Sequence, residues 1–126
     1  MLHIVESTRS VAEILDRFPK VTAAHKFGVL GQHDLRLKLK EKGIPFDREC
    51  TVFEICSPLN AKAVLEADMA ISTALPCRVS VYSEGGFTKI ATLSPTRLLR
   101  VFGHPELAPA AAEVEKTIYA IMDELR

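Results

Sequence analysis

Apolar and polar positions recur along this chain with two periods, close to two and close to 3.6 residues. The switches between them predict its elements. Met1 to Ser7 reads as a short strand. Ser10 and Glu13 then stand at capping-box spacing. Val11, Ile14, Leu15 and Phe18 follow at helical intervals, so a helix is expected, with Pro19 ending it. Phe27 to Gly31 predicts a strand whose glycines mark a bulge or a close backbone approach. Residues 34–42 admit two readings. Leu35, Leu37 and Leu39 alternate with cations as in a strand, yet the Leu, Lys and Arg content favours a helix that Gly43 ends, and the helix is preferred. Glu49 to Ile55 is a strand, with Cys50, Val52, Glu54 and Cys56 on one face and Thr51, Phe53 and Ile55 on the other.

Asn60 is placed to cap a helix running through Ala61, Val64, Leu65 and Met69 to about Ala74. Cys77–Ser83 and Phe87–Leu93 are strands joined by Ser83-Glu84-Gly85-Gly86, a strong hairpin signal. Thr96 is expected to cap a short helix to Phe102. A last helix ends near Leu125, with Ala111, Val114, Ile118, Ile121 and Leu125 on its buried stripe. This order defines a single α+β domain over residues 1–126, an antiparallel sheet of about four to five strands with helices packed on one face. The other face is left to solvent or to a second copy of the chain. Phe53, Ile55, Tyr82 and Ile90 are assigned there as apolar area, and a homodimer is the expected way to bury it.

Charge narrows the partners. Sixteen basic residues balance sixteen acidic ones, so the cationic excess of a phosphate-gripping domain is missing and nucleic acid is not an expected partner. The run from Arg36 to Lys42 is interleaved with leucines and Glu41, as on a solvated face. Met1-Leu2-His3-Ile4-Val5 leads straight into Glu6 and does not read as a secretory leader. No apolar stretch approaches the roughly 20 residues of a membrane span. A cytoplasmic protein with reduced thiols and no membrane partner is therefore expected.

Two thiols sit beside prolines at strand ends, in Cys56-Ser57-Pro58 and in Pro76-Cys77. Sheet rims expose groups for chemistry, so Cys56, Cys77 and His33 form the candidate metal set. Thiolate and imidazole together suit zinc, copper(I) or the iron of a haem. Cys56 as nucleophile, His33 as base and Glu54 as the carboxylate orienting His33 form the candidate catalytic set. The competing reading makes the cysteines small apolar packing residues, Cys50 most of all. His3, His25 and His104 have no partner in the pattern.

Six motifs in order resemble the domain of unknown function 302 family: His33-Asp34, Lys42-Gly43 with Phe46, Val52 to Pro58, Ala61 to Leu65, Leu75 to Tyr82, and Gly85 to Thr88. That resemblance covers nearly the whole chain. It implies a single curved antiparallel sheet backed by helices, often in dimers. It implies no activity, and many members carry glycine or leucine where this chain has Cys56 and Cys77. Three readings of function follow. The first is a module that binds a metal, haem or sulfur-bearing ligand, or exchanges thiols with a redox partner, through Cys56, Cys77 and His33. The second is a non-catalytic homodimeric interaction domain with packing cysteines. The third is a Cys–His enzyme, and whether the protein is an enzyme at all stays open.

Overall fold

The fold begins with an amphipathic helix laid across a sheet. The computed structural model describes all of residues 1–126. Strand β1 (Leu2–Ser7) leads into α1 (Val11–Ala24), where the Ser10 hydroxyl accepts from the Glu13 amide as the capping box predicts. Pro19 does not end this helix. Val21 and Thr22 continue the buried stripe of Val11, Ile14 and Phe18, and that packing outweighs the one backbone bond the proline removes. Strand β2 (Gly28–Asp34) follows, so His33 lies inside a strand and not after one. Next comes α2 (Leu35–Glu41), the helix expected between residues 34 and 42, capped by Asp34.

Strand β3 (Cys50–Cys56) passes into α3 (Pro58–Ala67), with Ser57 at the cap and Pro58 in the first turn. This helix is shorter than expected. Asp68 turns extended, and Met69–Ala74 continue as a 3₁₀ helix. Strands β4 (Cys77–Glu84) and β5 (Phe87–Leu93) form the predicted hairpin. Gly85 and Gly86 both have positive φ, as a two-residue type I′ turn requires. Ser94, not Thr96, caps α4 (Pro95–Leu99), and 3₁₀ turns lead to α5 (Ala108–Leu125).

The five strands form one antiparallel open sheet in the order β1-β5-β4-β3-β2. Along β3 and β4 the helix-covered positions alternate with outward ones. Phe53 pairs with Val79 and Val81 with Ile90, all fully buried beneath α1 and α5. The expected open-face assignment of Phe53, Ile55 and Ile90 is therefore reversed, and only Tyr82 lies outward with Cys50, Val52 and Glu54. Strand alternation separates the two faces but carries no sign. The sign is set by α1, whose Phe18 ring stacks on Phe53 at 3.7 Å between centroids. Arg17 of α1 donates to the carbonyls of Leu125 and Glu124 at 2.9 and 3.0 Å, tying α1 to the end of α5. The open face retains Leu2, Ile4, Phe87 and Leu93 as exposed apolar side chains. No helix is long and apolar enough to cross a membrane.

One histidine without an expected partner fastens two distant segments. His104, before α5, meets Asp68 through Nε2 at 2.8 Å and Glu106 through Nδ1 at 3.1 Å. Bonding to Asp68 and then Glu106 raises its pKa above the ordinary histidine value, and Asp68 is lowered first by the Ala70 amide and then by His104. A raised histidine stabilises the fold fully below its unfolded value, and that stabilisation is lost as pH rises through the folded one. Denaturant midpoints of the wild type should thus fall between mildly acidic and mildly alkaline pH. The His104→Gln variant should lose most of that slope, and an unchanged slope would show that the latch does not form in solution.

Candidate functional site: a thiol-lined cavity

Cys56 closes β3 and Cys77 opens β4, and the register makes Ile55 the neighbour of Cys77. The two strand ends therefore meet at one rim, and both cysteines line the same cavity. Its remaining walls come from helices. Val64 of α3, Ile71 of the 3₁₀ segment, Leu98 of α4 and Val114 of α5 line a partly open apolar pocket of about 70 Å³. A single water needs only about 10–15 Å³, so there is room for a group of several heavy atoms. The polar groups at its edge are few. Ser57 and Asn60 lie there, with Asn60 Nδ2 donating to Ser57 Oγ at 3.0 Å.

Neither thiol is disposed to ionise. Burial, reinforced by the neighbouring Cys56, pushes Cys77 up to about 11, and burial also raises Cys56. All three cysteines are free. Cys50 is at the far end of β3 on the open face, its Sγ 3.8 Å from Ser80 Oγ.

His33 is not part of this cavity. It pairs with Val52, four residues along β3 from Cys56, which is roughly 13 Å at about 3.3 Å per residue. Its imidazole leans over the open face, where Nε2 meets Glu54 Oε1 at 2.7 Å. Arg78 Nε stands 3.9 Å from the other Glu54 oxygen, so His33, Glu54 and Arg78 form a row across β2, β3 and β4. Gly31 makes room for it, since a Cβ there would stand 2.7 Å from Glu54 Oε1 and 3.3 Å from His33 Nε2. Glu54 and His33 are bonded to each other, as a carboxylate that orients the imidazole requires. The imidazole nitrogen is bonded to that carboxylate and not to the Cys56 thiol. No group of three or more His, Cys, Asp and Glu side chains is gathered closely enough to hold a metal ion. His33, Cys56 and Cys77 are thus divided between an open-face row and an apolar cavity.

Sequence reasoning missed the helical half of the cavity and its polar edge. Ser57-Pro58 carried a usable signal, a capping serine followed by proline at the first helical position, which would have started α3 there and moved Asn60 inward. Leu98 and Val114 carried none, because nothing local distinguishes a cavity wall from a core stripe.

The architecture defines a small α+β domain with an open sheet and one thiol-lined cavity between strand ends and helices. The domain of unknown function DUF302 matches residues 3–125. The chain is likewise similar to a crystal structure of an uncharacterized conserved DUF302 protein from Bacillus stearothermophilus. The two share 34% identity with a TM-score of 0.93, over 99% of this chain and 98% of that one. The chain belongs to the DUF302 family. No curated protein matches it.

Proposed function

We propose that this protein is a binding module that holds a small apolar or sulfur-bearing ligand in the cavity formed by Cys56, Cys77 and the inner faces of α3, α4 and α5. One observation carries this reading: an apolar pocket lies where both cavity cysteines are held as neutral thiols by burial. A neutral thiol is a soft, polarisable contact for carbon and sulfur groups. It is a poor nucleophile, because the thiolate is the reactive form. The pocket falls below the roughly 300 Å³ at which drug-sized clefts begin, so it suits a few heavy atoms and not a macrocycle.

Amide NMR with benzene and with dimethyl sulfide as probes tests this function. Resonances of Val64, Ile71, Cys77 and Val114 should shift on titration. Ala111→Leu, which adds bulk to the wall, should weaken both probes by about tenfold or more. Shifts confined to the open sheet face, or none up to the solubility of the probes, would leave the cysteines as packing residues.

A further inference from the structure

A second depression lies between β1, α4 and α5, away from the thiols. Its volume of about 400 Å³ falls within the roughly 300–1,000 Å³ typical of ligand clefts, and its lining is largely polar. We propose that this cleft binds a small zwitterion of the amino-acid class, with the ligand's ammonium on Glu115 and its carboxylate on Arg97. The site is separate from the thiol cavity and does not depend on it.

Glu115 is the centre of the argument. Ser94 Oγ and Thr96 Oγ1 both donate to Oε1, the latter at 3.0 Å, and Tyr119 Oη donates to the same oxygen at 3.3 Å. Thr96 Oγ1 also lies 3.1 Å from Oε2, and the Thr96 backbone amide adds a further bond to the carboxylate. A carboxylate offers about four lone-pair positions, so Oε2 keeps acceptor capacity toward the cleft. The three hydroxyls fix the carboxylate without neutralising it. Burial alone raises its pKa, but those hydrogen bonds more than offset burial and hold it below the ordinary value, so it is ionised at neutral pH.

Arg97 lines the same cleft, in the first turn of α4. Neither Arg97 nor Glu115 belongs to any of the protein's ion pairs. One cleft therefore presents an unpaired cation and an unpaired anion, and a ligand carrying both opposite charges satisfies each. The His3 ring stacks on Tyr119 at 3.8 Å and 16°, leaving the phenol oxygen at the carboxylate as a further acceptor for an ammonium proton.

Three matched probes separate the charges: L-serine, ethanolammonium, which lacks the carboxylate, and 3-hydroxypropionate, which lacks the ammonium. Calorimetric titration at neutral pH should show L-serine binding at least about tenfold more tightly than either fragment. Arg97 is exposed and free of ion pairs, so Arg97→Gln should fold normally. It should bring L-serine down to the affinity of ethanolammonium. Glu115→Gln should abolish ethanolammonium binding, with the thermal unfolding curve confirming that the variant is folded. Equal binding of L-serine and ethanolammonium, with Arg97→Gln neutral, would overturn the proposal in favour of a simple cation site. Equal binding of 3-hydroxypropionate, or no binding of any probe, would overturn it as well.

Discussion

Phe53→Ala should cost about 3–5 kcal/mol of folding stability, the usual range for truncating a buried phenylalanine. The total for a domain is only about 5–15 kcal/mol, so the variant should be marginal at physiological temperature. Phe53 is fully buried at the centre of β3, with β2 and β4 on either side and the Phe18 ring stacked over it at 4°. Its removal leaves a cavity that α1 cannot collapse into, because Arg17 pins that helix to the end of α5. Urea titration measures the loss directly. Phe53→Leu, which keeps most of the volume, should cost much less. This experiment also checks which face of the sheet is covered, since an outward Phe53 would tolerate alanine within about 0.5 kcal/mol.

Cys77 should react with iodoacetamide about a hundredfold more slowly than an ordinary thiol at neutral pH. Its pKa of about 11, against the usual 9.0, leaves about one hundredth of the usual thiolate. In a variant carrying both Cys50→Ser and Cys56→Ser, Cys77 is the single reporter, and the part of its shift that comes from burial remains while the contribution of Cys56 is lost. Its alkylation rate should keep climbing roughly tenfold per pH unit beyond 9, where a free thiol levels off. The sign for stability follows from the same shift. Between pH 9.0 and about 11 the native state holds a proton that the unfolded chain has released, so stability falls across that window. This group's share is about 2–3 kcal/mol in all. Alkylation at the rate of an unfolded control would mean that Cys77 is open and ionised, and the neutral-thiol cavity would have to be abandoned.

Local signals carried much of the fold. The Ser10 cap, the Gly85-Gly86 turn, the helix after Asp34 and the α5 stripe were all legible, because each depends on residues within one or two turns of each other. Misses arose where a distant partner overrode a local preference. Pro19 stays within α1 because Val21 and Thr22 are buried against the core. The helix after Ser57 stops at Asp68, which accepts from Ala70 and bonds His104, 36 positions away. The second cleft was invisible for the same reason. His3, Ser94, Glu115 and Tyr119 share no motif, and only the packing of β1 beside α4 and α5 assembles them.

By itself the sequence determined the kinds and order of most elements, the α+β class, and the alternation of β3 from Cys50 to Ile55, while the register between β3 and β4 brought Cys56 beside Cys77. Periodicity, caps and turns act over a few residues, and they are written directly in the chain. Only the tertiary structure decided which face of the sheet α1 covers, and that His33 bonds Glu54 over Gly31 and not a thiol. It also decided that helices following β3 line a pocket beside the cysteines. Those outcomes depend on strand register and helix docking between residues far apart in sequence, where burial of shared apolar surface, not local preference, sets the lowest free energy.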